Sequence, residues 1–514
     1  MTPSSFVGKP LRTAVAVGTA FLALVAACSH GGGAHPALSN GARATSAPTA
    51  APTPEPAPTP EPPPAPGFAE VSKLINNAIA ANKLPGAVAV VGHGGKIAFH
   101  QAYGLRKLAD EPGLDGLPAA AEPMTEDTIF DLASLTKILG TATVVMQLYE
   151  QGKVQFDDPV QQYLPEFNAA NDARRAAVTL RMLLTHTSGL PGDVNLGDPW
   201  GLDGPDKSEG IHRALTTPLE SAPGDGFRYS DINFILLGAL IEKVTGEALD
   251  VYVQRHVFEP LGMADTRYLP VAKACGPHTT IGSAIAWAPT PTDRPPGPCP
   301  AGTWDTGLLP RIAPTARDEE GRGDPGKNPD LDHLLRGTVQ DTTARRMGGV
   351  AGHAGVFSTA HDVSVFAQAL LDRLAGRPSE FPLLRTTSES MTSPQQPGHT
   401  AHQLEAANAA ARAALATRPN TTNPLLAPHY PAIAGENLRG FGWDIDTAHS
   451  SARGMIFPIG SFGHTGFTGT SVWMDPASDT YVVLLANSIH TRGSPPMSIL
   501  RGEVATAAAR ALGL

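Results

Sequence analysis

Hydrophobic positions recur at two different spacings along the chain and predict both helices and strands. Apolar residues three or four apart predict helices over residues 69–81, 134–151, 232–244, 363–374 and 499–511. Short runs rich in β-branched and aromatic residues predict strands over residues 87–91, 96–100, 471–474 and 481–485. Because strands lie near both ends and helices lie between them, we expect one sheet built from both ends of the chain, with a helical region inserted.

Residues 1–28 have the features of an export signal. Lys9 and Arg12 precede an apolar stretch, residues 13–27, that is too short to span a membrane comfortably. The stretch ends in Val-Ala-Ala-Cys, which resembles a bacterial lipoprotein signal with Cys28 as the lipidated residue. We therefore expect an exported protein, anchored by lipid to a bacterial membrane and facing the periplasm or the cell exterior. The alternative is an ordinary secretory signal with a stray cysteine.

A proline-rich segment separates this signal from the rest of the chain. Residues 29–66 contain dense proline, which favours extended polyproline II and prevents a packed core. We interpret the segment as a disordered stalk without chemistry of its own. The folded domain is then expected over residues 67–514.

Charge and metal-ligand spacing exclude several classes of protein. The formal net charge is −10 and no basic stripe is present, so we expect no nucleic-acid partner. No histidine or cysteine spacing is typical of a zinc site, and we expect no metal and no cofactor. The expected partner is a small-molecule or peptide substrate, and the sequence carries no signal for an oligomeric state.

Residues 271–347 are rich in proline, glycine and aspartate and are interpreted as an insertion over the surface. Cys275 and Cys299 lie within it. In an oxidising compartment they could pair and contribute ~3 kcal/mol by closing a loop. The alternative is two free thiols.

Ser134-Leu135-Thr136-Lys137 carries the clearest chemical signal. Residues three apart are neighbours on a helix, so the Lys137 amine is expected within hydrogen-bonding reach of the Ser134 hydroxyl. A serine becomes nucleophilic when a nearby base takes its proton, and a lysine with a lowered pKa is such a base. Ser134 is expected at the N-terminus of its helix, which favours developing negative charge. The alternative is a helix-capping serine beside an exposed lysine.

Two further motifs carry polar groups suited to acyl transfer. Tyr229-Ser230-Asp231 precedes a predicted helix, and a tyrosine beside lysine-type cations can have a lowered pKa and shuttle a proton. Residues 463–469, Gly-His-Thr-Gly-Phe-Thr-Gly, predict an edge strand that a substrate backbone can approach closely. The alternatives are a half-buried core tyrosine and a glycine-rich turn.

In this order, the three motifs resemble those of a serine hydrolase family. The family contains class C β-lactamases, low-molecular-mass penicillin-binding proteins (D-alanyl-D-alanine peptidases) and related esterases. The resemblance covers most of the chain from about residue 67, apart from the insertions. Other fragments typical of the family are residues 184–190 (LTHTSGL), 260–263 (PLGM), 355–359 (GVFST) and 441–443 (FGW).

The resemblance implies an α+β fold of the β-lactamase/transpeptidase type, with a mixed antiparallel sheet flanked by helices beside an all-helical region and the site between them. It implies that Ser134 is acylated, while Lys137 and Tyr229 share the general-base and general-acid work. The backbone N–H groups of Ser134 and Phe467 would hold the oxyanion, each contributing ~3 kcal/mol to lowering the barrier. The residues implied at the substrate are Asp231, His464, Thr465 and Gly466.

Two positions depart from the β-lactamase pattern. The usual Lys-Thr-Gly is His464-Thr465-Gly466, and the usual Tyr-x-Asn ends in Asp231. Histidine is largely neutral at pH 7 unless a neighbour raises its pKa, and an ionised aspartate cannot donate a hydrogen bond. Both departures weaken the expectation of efficient β-lactam hydrolysis.

The sequence therefore predicts a serine acyl hydrolase of the cell envelope that works through an acyl-enzyme on Ser134. The substrate is expected to be a peptidoglycan-type D-Ala peptide or a small ester. The alternatives are a true β-lactamase and a non-catalytic protein that binds peptidoglycan or a partner.

Overall fold

A computed structural model describes residues 67–286, 298–320, 325–328, 331–396, 401–417, 437–494 and 496–514. The predicted signal segment, its Cys28 and the stalk of residues 29–66 lie outside the described residues. None of the helices within the described ranges is both long enough and apolar enough to cross a membrane.

An eight-stranded sheet is assembled from both ends of the domain, as the sequence predicts. In space its strands follow the order β4-β5-β6-β7-β8-β1-β2-β3, with antiparallel neighbours. The central pair joins the two ends of the domain, from Ala87 opposite Ala486 to His93 opposite Thr480. The strands are β1 Gly86–His93, β2 Lys96–Lys107, β3 Glu122–Pro123, β4 Leu438–Arg439, β5 Asp444–Asp446, β6 Phe462–Thr465, β7 Ser471–Asp475 and β8 Thr480–Ala486.

Helices cover both faces of this sheet, which explains why β1 is apolar on both sides. Val88 and Val90 face one buried cluster, while Ala87, Ala89 and Val91 face the other, as the two-residue period of a strand requires. The predicted α+β architecture is confirmed. The principal helices are α1 Ala69–Ala80, α2 Thr143–Glu150, α3 Asp231–Thr245, α4 Ala360–Leu374 and α5 Ser498–Ala511.

Further helices and strands complete the helical region and the loops. The remaining α-helices are Val160–Tyr163, Ala173–Ala176, Leu180–Leu184, Lys207–Thr216, Leu249–Val253, Thr342–Arg346, Arg385–Thr392 and Ala401–Thr417. The 3-10 helices are Ala133–Leu135, Pro165–Asn168, Val271–Lys273, Thr306–Arg311, Pro325–Lys327, Ser450–Arg453 and Ser488–His490, and the π-helices are Lys137–Ala142 and Gln254–Phe258. The remaining strands are Phe130–Asp131, Arg267–Tyr268, Ala274–Cys275, Thr279–Ile281, Ala284–Ala286, Trp304–Asp305, Ala316–Arg317, Leu334–Leu335 and Val356–Ser358.

The described parts of the 271–347 insertion consist of short strands, short helices and turns. Cys275 and Cys299 form a disulfide within it, across a sequence separation of 24 residues. Its last helix, Thr342–Arg346, is capped by Asp341, whose carboxylate accepts the Ala344 N–H at 2.8 Å.

The helix predicted from Ser134 is not a continuous α-helix. A 3-10 turn comes first, a π-helical segment over Lys137–Ala142 follows, and α2 begins only at Thr143. The Thr143 hydroxyl donates to the Ile138 carbonyl at 2.8 Å, five residues back, where it competes with the regular backbone pattern. The expectation that Ser134 begins a regular helix is therefore wrong.

Residues 359–362, Thr-Ala-His-Asp, have the sequence pattern of a capping box, but in the structure the box is only half formed. The Thr359 hydroxyl accepts the Asp362 N–H at 3.1 Å and caps α4. The Asp362 carboxylate instead accepts the Asp265 N–H and the Thr266 hydroxyl, both at 2.8 Å. The acidic residue thus ties α4 to a distant loop rather than to its own N-terminus.

Thr359→Ala is expected to lower the free energy of unfolding by ~1 kcal/mol, because the first turn of α4 loses its side-chain acceptor. Urea denaturation of the purified chain measures this change. Thr359→Ser keeps the hydroxyl and is expected to stay close to the parent. A similar loss in both variants would show that the methyl group, and not the cap, is responsible.

Candidate active site

Ser134 lies in a strained turn that a buried carboxylate holds. Ala133, immediately before it, has φ of +48°, a conformation that costs energy for a residue with a Cβ. The Asp131 carboxylate accepts the Ala133 N–H at 2.9 Å and, with its other oxygen, the Gln340 N–H at 2.7 Å. Burial raises the pKa of Asp131 to about 6, although these two donors act in the opposite direction.

The turn that follows the His-Thr-Gly strand is hydrogen-bonded to the segment that precedes Ser134. The Thr468 hydroxyl donates to the Asp131 carbonyl at 2.7 Å, and the Thr470 hydroxyl donates to the Leu132 carbonyl at 3.0 Å. A Cβ on Gly466 would lie 2.5 Å from the Leu132 carbonyl oxygen, so this close approach requires glycine. The two predicted motifs are therefore held directly against each other.

Lys137 is buried and points at the nucleophile. Its ammonium donates to the Ser134 hydroxyl at 2.9 Å and to the His353 carbonyl at 3.2 Å, and it lies 2.6 Å from an Asp231 carboxylate oxygen. Burial alone would lower the pKa of Lys137, but Asp231 and Tyr229 outweigh it and raise the pKa to about 12. The expectation of a lysine with a lowered pKa is wrong for this resting state, in which Lys137 is an ammonium.

The LTHTSGL segment positions the Tyr-Ser-Asp motif. His186 accepts the Ser230 N–H at 3.1 Å through Nδ1, and its ring lies 4.4 Å from that of Tyr229. The Ser230 hydroxyl donates to the Pro191 carbonyl at 2.5 Å, and the Asp231 N–H donates to the Gly192 carbonyl at 2.7 Å. Burial keeps the pKa of His186 well below its usual range, so the ring is a neutral acceptor.

Tyr229 stays protonated in this environment. The Lys137 ammonium lies 4.9 Å from the centroid of its ring, and the side chains of Lys137 and Ser134 are hydrogen-bonding neighbours of the Tyr229 hydroxyl. Burial raises the pKa of Tyr229, against the opposing effect of Lys137. The predicted lowering of its pKa is therefore wrong, because desolvation of the phenolate outweighs the single lysine nearby.

The His-Thr-Gly strand, β6, is not at the edge of the sheet. It lies between β5 and β7, and this corrects the sequence interpretation. Its pairing with β5 joins Gly463 to Asp444, whereas its pairing with β7 extends to Thr465. On the side that faces β5, β6 is therefore paired at Gly463. The described pairing on that side does not extend to His464 or Thr465.

His464 is neutral, as expected from its ordinary pKa. Burial and the nearby cation Arg439 keep the pKa of His464 well below the usual range. Because the Thr465 carbonyl can only accept, the His464 Nδ1–H donates to it at 2.8 Å. Nε2 is then an acceptor, and it is buried without a partner in the described part of the chain.

Two arginines, the buried Arg439 and the half-buried Arg501, complete the site, and sequence reasoning missed both. Arg501, from α5, donates to the Gly466 carbonyl at 2.6 Å and the Thr470 carbonyl at 3.0 Å, and burial lowers its pKa to about 10. Arg439 donates to the Gly442 carbonyl, while its Nε and Nη1 lack acceptors among the described residues. The sequence signal that could have pointed to Arg439 is the Phe-Gly-Trp fragment, which Arg439 and Asp444 flank.

One cleft of about 350 Å³ brings the predicted groups together. Ser134, Tyr229, His464, Thr465, Gly466 and Phe467 line it, and Lys137 and Asp231 lie beside Ser134 and Tyr229 through the contacts above. The disulfide residues Cys275 and Cys299 are not among its lining residues. Within the described ranges, no group of three or more histidine, cysteine or acidic side chains could hold a metal ion. The additional lining residues are Arg439, Asp444, His449, Ser488, Ile489, Ser494, Pro496, Met497 and Arg501.

A serine hydroxyl and a neutral tyrosine in the lining of one cleft, with a buried lysine ammonium donating to the serine, are the groups of a serine hydrolase of the SxxK type. The family model described as Beta-lactamase matches residues 71–505. The chain belongs to this family of serine hydrolases.

Relatives and a solved structure agree with this assignment. An N-acetylmuramyl-L-alanine amidase of Bacillus subtilis (strain 168) is 29% identical over 433 residues, 82% of this chain and 81% of the relative. A protein of Escherichia coli (strain K12), provisionally named D-alanyl-D-alanine carboxypeptidase, is 28% identical over 411 residues, 78% of each chain. The octameric penicillin-binding protein homologue from Pyrococcus abyssi shares the fold, with a TM-score of 0.51, 20% identity, and coverage of 84% of this chain and 75% of that one.

Asp231→Asn is expected to destabilise the fold because it leaves the buried Lys137 ammonium without its counter-charge. The folded-state pKa of Lys137, about 12, lies above its ordinary value of 10.5, so the ion pair stabilises the protein fully below about pH 10.5 and progressively less as the pH rises through about 12. At pH 7 we expect the free energy of unfolding to fall by ~3 kcal/mol in urea denaturation.

Asp157→Asn is the matched control, because Asp157 forms a 2.7 Å pair with Arg181 at the surface, where its side chain is 74% exposed. Loss of this pair is expected to cost less than about 1 kcal/mol. If Asp231→Asn cost no more than Asp157→Asn at pH 7, the buried pair would not have the stabilising role assigned to it.

Proposed function

We propose that this chain is a serine acyl hydrolase that forms an acyl-enzyme on Ser134 and cleaves an amide bond of a peptidoglycan-type peptide. The 2.9 Å contact between the Lys137 ammonium and the Ser134 hydroxyl carries the proposal, because it holds the nucleophile at a charged group beside an open cleft. The names of the two relatives, carboxypeptidase and amidase, both denote cleavage of an amide bond.

The resting ammonium of Lys137 requires a second proton carrier. Lys137 lies 2.9 Å from Ser134 and 2.6 Å from the Asp231 carboxylate. As Ser134 attacks the carbonyl carbon, its proton passes to Lys137 while Lys137 transfers one proton to Asp231. Lys137 therefore remains an ammonium and Asp231 becomes a neutral acid, and the positive charge that this pair gains balances the negative charge on the oxyanion. Asp231, in place of the usual asparagine, makes this relay available.

Collapse of the tetrahedral intermediate needs an acid for the leaving nitrogen. Tyr229 is protonated and opens into the cleft beside Ser134, so its hydroxyl can donate that proton and recover one from Lys137. The N–H groups of Ser134 and Phe467 would stabilise the oxyanion, as the family resemblance implies. Water then repeats the sequence on the acyl-enzyme and releases Ser134.

Turnover of a synthetic N-acetylmuramyl pentapeptide, L-Ala-γ-D-Glu-L-Lys-D-Ala-D-Ala, tests this proposal by mass spectrometry of the products. Carboxypeptidase action removes the terminal D-Ala, and amidase action releases the intact pentapeptide. We expect one of these products, and we expect Ser134→Ala to lower its rate by at least about 10⁴-fold. Ser393→Ala, an exposed serine outside the cleft, is the control and should match the parent.

The same assay separates the alternatives. Turnover of benzylpenicillin or of p-nitrophenyl acetate without turnover of the peptide would replace the peptide proposal with β-lactam or ester hydrolysis. Peptide binding without any Ser134-dependent product would indicate a non-catalytic binding protein.

We also propose that the protein is exported and lipid-anchored through Cys28, on the strength of the signal-like residues 1–28. Cys28→Ser is expected to move the protein from the membrane fraction to the soluble or secreted fraction, because it removes the acylated thiol. Labelling with an alkynyl palmitate should mark the parent and not the variant. Equal membrane association of both proteins would contradict the lipid anchor.

A further inference from the structure

Residues 351–356 run alongside the segment that carries the nucleophile, and two of their carbonyls bind it. The Thr141 hydroxyl donates to the Gly352 carbonyl at 2.7 Å. The Lys137 ammonium donates to the next carbonyl, that of His353, at 3.2 Å. Because a carbonyl oxygen carries a fixed partial negative charge, its position helps to decide where the ammonium lies.

Helix α3 leaves little room for the backbone of residues 351–356. A Cβ on Gly352 would lie 2.0 Å from the Phe234 carbonyl oxygen, so only glycine fits there. The same helix begins at Asp231, whose carboxylate lies 2.6 Å from the Lys137 ammonium. The ammonium is therefore placed between a carboxylate at the start of α3 and a carbonyl of a segment packed against that helix.

The His353 side chain makes a bond that the proposed mechanism does not use. The side chain is 1% exposed, and its Nε2 lies 2.8 Å from an Asp341 carboxylate oxygen. Although burial acts against it, His353 lowers the pKa of Asp341 to about 2, so the carboxylate is ionised and Nε2–H donates. Nδ1 is buried without a partner in the described part of the chain. Asp341 is therefore the group that fixes the orientation of this ring.

Asp341 is itself held in place by its surroundings. Its carboxylate caps a helix by accepting the Ala344 N–H at 2.8 Å. The residue before it, Gln340, donates its backbone N–H to the Asp131 carboxylate at 2.7 Å. The anchor of the His353 ring is thus connected to the carboxylate that holds the turn before Ser134.

We propose that His353 is a positioning residue for acylation: its ring, held by Asp341, fixes the backbone carbonyl that keeps the Lys137 ammonium directed at Ser134. The inference rests on the proposed acyl-enzyme function and adds a residue to it. His353 is not among the lining residues of the cleft, so it acts through Lys137 and not on the substrate. Loss of the ring contact is expected to slow attack by Ser134 without weakening ligand binding.

Phosphonylation of the full chain by an alkyl fluorophosphonate tests this role. The Ser134 oxygen bonds to phosphorus, fluoride leaves, and the serine proton passes to the lysine–aspartate pair. Intact-mass time courses give the limiting rate constant and the half-saturating probe concentration. His353→Met removes the donor, whereas His353→Gln has the same length and keeps an N–H. We expect about tenfold slower limiting reaction in His353→Met, an unchanged half-saturating concentration, and a rate within about twofold of the parent in His353→Gln.

Asp341→Ser removes the same contact from the other side, while serine still caps the helix. It is expected to slow the limiting reaction as much as His353→Met, and the two changes combined should add nothing further. Asp206→Ser is the control, because Asp206 caps the helix Lys207–Thr216 in the same way, accepting the Glu209 N–H at 2.9 Å, and does not line the cleft. Its rate should match that of the parent.

A purely structural role would lower the fraction of chains that react and leave the rate constant of the reacting chains unchanged, and that result would overturn the proposal. Equal losses in His353→Met and His353→Gln, equal losses in Asp341→Ser and Asp206→Ser, or no reaction of the parent at Ser134 would also overturn it. The probe reacts without a peptide. The expected rates together with no turnover of the pentapeptide would therefore retain the positioning role and reject the peptide substrate.

Discussion

The site depends on the need to neutralise one ammonium group in a buried position. Lys137 is fully buried, and a charge there is tolerated only when it is paired and hydrogen-bonded. Its partners are Ser134 in its own segment and two groups from distant parts of the chain, Asp231 at the start of α3 and the His353 carbonyl. The helical region and the nucleophile turn are therefore joined at the point where chemistry occurs.

Around this ammonium the other ionisable groups are arranged to carry little net charge of their own. His186 and His464 are neutral because burial disfavours the imidazolium, and Tyr229 is neutral because burial disfavours the phenolate. In the proposed mechanism, the pair of Lys137 and Asp231 consequently supplies the mobile protons. Arg439 and Arg501, from opposite ends of the C-terminal segment, both line the cleft.

Local patterns were sufficient for much of this arrangement. The spacing of Ser134 and Lys137 predicted their contact, and apolar periodicity predicted α1, α3, α5 and the strands that join both ends of the domain. The π-helical segment was missed because apolar periodicity does not report local side-chain bonds to the backbone, such as that from the Thr143 hydroxyl to the Ile138 carbonyl. Arg501 lies 367 positions after Ser134 in the sequence. It reaches the cleft that contains Ser134 only through tertiary packing. The proton affinities of Lys137 and Tyr229 also depend on burial and neighbours, which a linear sequence does not contain.

Asp131 has a consequence for how this enzyme can be altered. One oxygen of its carboxylate fixes the strained residue before Ser134, and the other fixes Gln340 in the insertion. The insertion is therefore not an interchangeable module, since a graft that shifts residue 340 also releases one anchor of the nucleophile turn.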